Sequence, residues 1–266
     1  MELIGPYSYQ VMKAEAYDLP PKRYQVREVE ITKEQRQMYN IIKKNNILKN
    51  GDDVKVIENT LELLLRLHQV AGGYTVKPRE ITKFDASGNP KVKVVYDPVE
   101  LISPDKNPKI VELLSIVGQA KGKQGIVWAA YKPEICAIVK EMRKLGLRVG
   151  ELHGDVPDGD RQPMVDAFKR GEYDWIVGNA STGGMGYPMH TAEIAIFFNN
   201  THKIRDRLQA EDRLWGDGQT KSPILIDLVA SGTVDKTIMR ALEVKEDLHN
   251  YVRKRIREVH SMMEGE

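Results

Sequence analysis

Hydrophobic positions fall into three regimes along the chain. From about residue 107 to 258, short runs rich in Val and Ile (GIVWAA, LRVGEL, YDWIVG, EIAIFF, PILIDLV) are separated mostly by amphipathic stretches: KPEICAIVKEMRKLG, PDGDRQPMVDAFKRG and KIRDRLQAEDRLW. Near-continuous apolar strands separated by helices are what a parallel sheet covered on both faces requires. Gly146 and Gly171 stand where helix ends need a residue tolerant of positive φ. One long charged helix, VDKTIMRALEVKEDLHNYVRKRIREV, is predicted to close the chain.

The front of the chain has a different pattern. After Thr32, KEQRQMYNIIKK sets Met38, Ile41 and Ile42 at helical spacing. ENTLELLLRLHQV places Leu61, Leu64, Leu65 and Leu67 on one broad face before a stop at Gly72, a stripe suited to core packing. KPREITKF and KVKVVY flank DASGNP, which predicts a hairpin closed at Ser87-Gly88-Asn89. Lys91 and Lys93 on its second strand suit a solvated ribbon face or a nucleic-acid contact. The expected architecture is α/β. It divides into a helical and linker region (1–75), a hairpin-like insertion (76–106), a parallel-sheet lobe (107–245) and a C-terminal helix and tail (246–266).

Composition narrows the classes. Lys and Arg number 40 against 38 Asp and Glu, so any basic groove must come from segregation of charge. Cys136 is the only cysteine, which excludes an intrachain disulfide and a cysteine-built zinc site. The expected compartment is reducing: cytoplasm in a bacterial or phage-infected cell, the nucleus in a eukaryote. Cys136, with Ile135 and Val139, is expected to pack as a core thiol. Six histidines show no clustered spacing for a metal, and none is expected.

Open parallel sheets bind ligands beyond the carboxyl ends of their strands. After YDWIVG comes Asn179-Ala180-Ser181-Thr182-Gly183-Gly184-Met185-Gly186, which suits a tight turn or a loop whose amides approach phosphate. After LRVGEL come His153-Gly154-Asp155 and then Arg161-Gln162; after EIAIFF come Asn199-Asn200-Thr201 and a helix bearing Gln209, Glu211, Asp212 and Arg213. An arginine beside a nucleotide can neutralise charge on a transferred phosphoryl group.

In order, ELHGDV, DRQPMVDAF, VGNASTGGMGYPMHTA and QAEDRLWGDGQ resemble the motifs of the second RecA-like lobe of superfamily-2 helicases. The chain is most similar to Swi/Snf-type duplex-DNA translocases, including forms found in bacterial viruses. GIVWAAY resembles the strand that opens the lobe and Asn107 to Ile110 the segment that precedes it, while LPPKRYQVREVEITKEQRQMY and LLLRLHQVAGG resemble inter-lobe segments with helical protrusions. The resemblance implies a RecA-like fold and an ATP site shared with an N-terminal lobe, in cis or in trans, that supplies the P-loop and the Mg²⁺ ligands. It further implies that Arg213 faces ATP with Gln209 as companion, and that Gly183, Gly184, Gly186, Gly218 and Gln219 lie at the nucleotide. By the same resemblance, Gly154, Ser181 and Thr182 approach the backbone of double-stranded DNA. Lys132, Arg161 and Lys203, on loops or helix starts near the strand ends, are candidate DNA phosphate contacts, and the cluster Arg253, Lys254, Arg255 and Arg257 suits either a further contribution or a solvated helix end. Trp128 and Tyr131 are expected to pack instead of stacking on bases.

Two departures matter. The sequence holds no G-x-x-x-x-G-K-[ST] and no Asp-Glu-x-His; Lys121-Gly122-Lys123-Gln124-Gly125 precedes a strand and cannot form a P-loop. The chain alone is therefore expected not to hydrolyse ATP. Gly216 stands where the family carries a second arginine, which leaves a weakened motor, an altered position, or compensation by Arg205 or Arg207. The rival reading from another class is a DNA-binding or regulatory RecA-like module without turnover. A Rossmann oxidoreductase lacks its G-x-G-x-x-G after GIVWAA.

Overall fold

The computed structural model describes residues 19–47, 53–84, 90–181, 187–216, 218–245 and 251. All five predicted apolar runs are strands: β4 (Gly125–Trp128), β5 (Val149–Leu152), β6 (Trp175–Gly178), β7 (Ile194–Phe197) and β8 (Ile224–Ala230). A sixth, β1 (Arg23–Val29), joins them in the order β1-β8-β7-β4-β6-β5, and every neighbouring pair is parallel. β1 escapes an apolar-run search because RYQVREV is mostly exposed, as an edge strand allows.

Helices cover both faces. On one, α3 (Pro108–Gln119) and α4 (Lys132–Lys144) bury Ile110, Leu113, Ile135, Ile138 and Met142 against Val127, Val177 and Ile196. On the other, α5 (Asp158–Lys169) and α6 (Ile204–Asp212) bury Phe168 and Ala210 against Ile126, Trp128 and Phe197. The helix-terminating glycines behave as expected, with φ of +79° at Gly146 and +78° at Gly171. Cys136 does not join the core; it is exposed. The buried stripe of α4 is Ile135, Ile138, Val139 and Met142, and one step of about 100° carries position 136 off that face.

The front of the chain forms α1 (Lys33–Ile47) and α2 (Asp53–Gly72), which share a third core with α7 (Val234–Glu243) through Tyr39, Leu64, Leu67, Val70 and Ile238. Thr32 and Gln35 cap α1 reciprocally, and the buried Gln35 also donates to the Val70 carbonyl at 3.0 Å. Asn107 caps α3 and donates to the Gly72 carbonyl at 2.8 Å, so one side chain starts a lobe helix and ends α2. The insertion is the predicted hairpin, with β2 (Tyr74–Phe84) and β3 (Pro90–Glu100) pairing antiparallel; its turn lies outside the described residues. The single long closing helix is not continuous. α7 ends at Glu243, Val244 caps it, and Lys245 takes a φ of +54°. No helix among the described residues is long and apolar enough to cross a membrane.

A buried ion network fixes the sheet edge to α6. Arg207 donates to Asp227 of β8 (Nη1–Oδ1 2.5 Å, Nη2–Oδ2 3.2 Å), to Asn200 (2.5 Å) and to Glu211 (2.8 Å), with its guanidinium over the Phe197 ring. Glu211 also accepts from Lys22 (2.9 Å) and Tyr24 (2.8 Å) beside and within β1. Burial pushes the Glu211 pKa up, but Arg207 and Lys22 outweigh it and hold the carboxyl below its ordinary value. Arg207→Met would strand two buried carboxylates and is expected to destabilise the chain by about 3–5 kcal/mol. Urea unfolding checks this; a loss below about 1 kcal/mol would show that the network does not hold the edge.

Candidate functional site

Because the sheet is parallel, the loops after β4, β5, β6 and β7 leave from one edge. Two asparagines knit them together. Asn179 donates to the Ala130 carbonyl (2.6 Å) and accepts from the amide (2.8 Å) and hydroxyl (2.6 Å) of Ser181. Asn199 accepts from the Ala130 amide (2.6 Å) and donates to both oxygens of Glu134 at 2.7 Å. Between these loops lies a cavity of about 140 Å³, lined among others by Tyr131, Ser181, Thr201, Lys203, Asp206 and, from α2, Leu65. The leucine stripe thus divides: Leu64 and Leu67 are core, and Leu65 walls the cavity.

The positions implied by resemblance fall into distinct environments. Ser181 is exposed at this edge, and Thr182, Gly183, Gly184 and Gly186 lie outside the described residues. Lys132 is exposed at the start of α4 and paired with Asp155 of the next loop. Gly154 is exposed, and a Cβ there would meet nothing within 4 Å, so packing does not require glycine. Arg161 is turned inward: it donates to the Val156 carbonyl (2.9 Å), reaches the Gly154 carbonyl at 3.4 Å and pairs with Asp158 (2.6 Å). It shapes the 154–158 loop.

Arg213 follows the last residue of α6 and is 5% exposed. Its guanidinium stands 5.0 Å from the centre of the Trp128 ring, and Nη2 donates to the Ala180 carbonyl at 3.4 Å, directly before Ser181. Burial lowers its pKa. Gln209 is exposed on α6. Gln219 is buried and spent on backbone: it donates to Ala192 (3.1 Å) and Leu214 (3.0 Å) carbonyls and accepts from the Lys221 amide (3.1 Å). Gly218 holds a φ of +87° in the turn before it. Gly216 is buried, and a Cβ there would lie 2.7 Å from His190 Nε2. The guanidinium of Arg207, offered above as one compensating residue, is held by the buried network with Asp227, Asn200 and Glu211. Trp128 and Tyr131 pack as expected, the first in the core and the second beside His68.

Sequence reasoning missed the polar groups behind this edge. Buried Lys109 donates to buried Asp235 at 2.8 Å, while His68 Nε2 faces the other carboxylate oxygen at 3.7 Å and Nδ1 lies 3.2 Å from Tyr131 Oη. Only Asn199, directly after an apolar run, carried a signal: an amide at a buried strand end must find partners. Burial raises the Glu134 pKa to about 7, against the opposing pull of Asn199 and Lys109, and lowers that of His68 to about 4, against the pull of Asp235.

The chain matches the family described as the helicase conserved C-terminal domain over residues 105–218. Those residues are a helicase C-terminal lobe. The chain is similar to ATP-dependent helicase fft1 of Schizosaccharomyces pombe, 26% identical over 53% of this chain and 15% of that protein. It is also similar to the CHD3-type chromatin-remodeling factor CHR7 of Arabidopsis thaliana, 20% identical over 94% of this chain and 20% of that protein. The chain therefore spans between a seventh and a fifth of these relatives. In fold it resembles the Sulfolobus solfataricus SWI2/SNF2 ATPase core in complex with dsDNA, with a TM-score of 0.64 at 21% identity, covering 94% of this chain and 50% of that one.

The two shifted groups behind the lobe's edge oppose each other in pH. Glu134, with its folded pKa raised from 4.5 to about 7, withdraws stability as pH rises through that window. His68, lowered from 6.5 to about 4, restores stability as pH rises from about 4 to 6.5. Wild type should be nearly flat in this respect. Relative to it, Glu134→Gln should gain on the order of 3 kcal/mol between pH 4.5 and 7, and His68→Gln should gain similarly as pH falls from 6.5 to 4. Denaturant midpoints at stepped pH check this; parallel curves for all three proteins would refute it.

Proposed function

We propose that the chain is the DNA-gripping, arginine-donating lobe of an ATP-dependent duplex-DNA translocase. One observation carries the reading: Arg213 reaches the Ala180 carbonyl, one residue before exposed Ser181, at the edge where Lys132 and Gly154 also stand. A guanidinium at the root of a phosphate-facing loop can pass a change at a nucleotide to a change at DNA.

In this reading Gly154 and Ser181 touch DNA phosphate, Lys132 exchanges Asp155 for phosphate, and Arg161 and Gln219 hold the loops. The residues fit an anionic ligand but not its metal: no cluster of three ligating side chains occurs among the described residues. When bound, ATP with Mg²⁺ would supply the phosphoryl-transfer chemistry, its metal held by an N-terminal lobe joined in cis or in trans. Arg213 and Gln209 would lie on this lobe's side of the nucleotide. The Sulfolobus neighbour, an ATPase core in complex with dsDNA, supports the duplex as partner. The rival, a DNA-binding RecA-like module without turnover, is favoured by one feature: Gly216 is covered by His190 and offers no second cation.

Anisotropy of the full 266-residue chain on labelled duplex and single strand, across a salt series, tests the grip. Duplex preference with steep, sequence-independent salt dependence is the expected result; no binding at low salt overturns it. Gly154→Ala should weaken duplex binding about tenfold while moving stability by less than about 0.5 kcal/mol. A loss of stability equal to the loss of affinity would remove Gly154 from the interface.

DNA-stimulated ATP hydrolysis should be absent from the chain alone and appear with an N-terminal lobe. Gly216→Arg in that two-lobed protein should raise kcat once His190→Ala clears the space. Turnover by the chain alone, or no gain from the pair of substitutions, would overturn this part.

A further inference from the structure

The hairpin carries a second surface that its composition hides. Residues 74–100 hold five basic side chains (Lys77, Arg79, Lys83, Lys91, Lys93) and four acidic ones (Glu80, Asp85, Asp97, Glu100), a segment near neutrality. Antiparallel register sorts them, because residues directly opposite each other share a face. The pairs Lys77↔Asp97, Arg79↔Val95, Ile81↔Lys93 and Lys83↔Lys91 put all five basic positions on one face with Asp97 as the single acid. The pairs Tyr74↔Glu100, Val76↔Pro98, Pro78↔Tyr96, Glu80↔Val94 and Thr82↔Val92 give the other face two acids, no base and most of the apolar positions.

The second face is the one turned to the body at the root. Tyr74 Oη donates to the Pro133 carbonyl at 3.2 Å, and Arg66 of α2 lies 4.3 Å from the centre of the Tyr96 ring. Lys77, Arg79 and Lys91 are exposed on the first. Arg79 shares its charge with Asp97 at 2.5 Å, which leaves the face cationic. Pro133 adjoins Lys132, so the ribbon springs from the edge that holds the candidate DNA contacts. Eleven residues per strand extend for about 36 Å, close to the axial length of about ten base pairs.

We propose that the basic face of the β2–β3 ribbon is a second contact surface for duplex backbone, extending the grip of the strand-end edge by phosphate neutralisation without base reading. The proposal rests on the DNA reading above and adds a place and a direction to it. An acidic polypeptide is the competing occupant; basic positions spread along the length of a two-stranded ribbon favour the extended phosphate row of a duplex.

Titration of the full chain with labelled duplex over a salt series tests it. In the triple variant Lys77→Gln, Arg79→Gln, Lys91→Gln, the slope of log affinity against log salt should become shallower by about 2 to 3. The pair Glu80→Gln, Glu100→Gln, on the opposite face, should leave the slope unchanged. Lys132→Gln should lower the slope by about 1 on its own and reports on the strand-end site. If Lys132→Gln acts and the triple variant does not, the ribbon proposal is wrong and the DNA reading stands. If wild type shows no duplex binding at low salt, both fall. A triple variant that keeps its duplex slope but loses binding to poly-glutamate reassigns the face to an acidic protein. Equal gains in affinity from the Glu80 and Glu100 changes and equal losses from the triple variant would reduce the effect to net charge and overturn the surface.

Discussion

Parallel pairing is the constraint on which the structure turns. Every strand of the main sheet must be re-entered from the same end, so each departing loop leaves at one edge. Residues as distant as Ala130, Ser181 and Lys203 thereby become neighbours around one cavity. Asn179 and Asn199 then convert proximity into geometry, because each ties a loop to the backbone of Ala130 by a hydrogen bond of 2.6 Å.

Holding such an edge puts polar groups where water cannot follow. The chain answers with two buried sets of paired polar groups. Arg207, Asp227, Asn200 and Glu211 join α6 to β8 and, through Lys22 and Tyr24, to β1. Lys109, Asp235 and His68 lie where α2, α3 and α7 meet. Breaking one partner of such a set leaves an uncompensated charge, which is why these groups set the local rigidity more than the surface ion pairs do. Arg213 differs from Arg207 in this respect. Its guanidinium reaches the Ala180 carbonyl at 3.4 Å and lies beside the Trp128 ring, at the root of the loop that follows β6.

The accessory parts are joined to the lobe by single shared residues. Asn107 caps a lobe helix and the end of α2 together; Gln35 caps α1 and binds the Val70 carbonyl; Tyr74 anchors the ribbon beside Lys132. A motion of the edge is thereby connected to α2 and to the ribbon through short polar links. These are the parts of the chain that vary most in pattern from the alternating strand-and-helix lobe.

The alternation of Val- and Ile-rich runs with amphipathic stretches was enough to determine five strands, the parallel sheet and the helix-ending glycines, because buried strands need apolar side chains on both faces and helix ends need positive φ. Ordered motifs were enough to name the lobe, and the absence of a P-loop sequence is visible residue by residue. Other features depended on distance in space. β1 is polar, so only its pairing with β8 revealed it; position 136 lay one helical step off the buried stripe; the backbone partners of Arg161 and Gln219 and the ion network of Arg207 were set by the fold. The charge of the ribbon is the clearest case. Five bases and four acids in sequence are neutral in effect, and only antiparallel register, which fixes who stands opposite whom, separates them onto two faces.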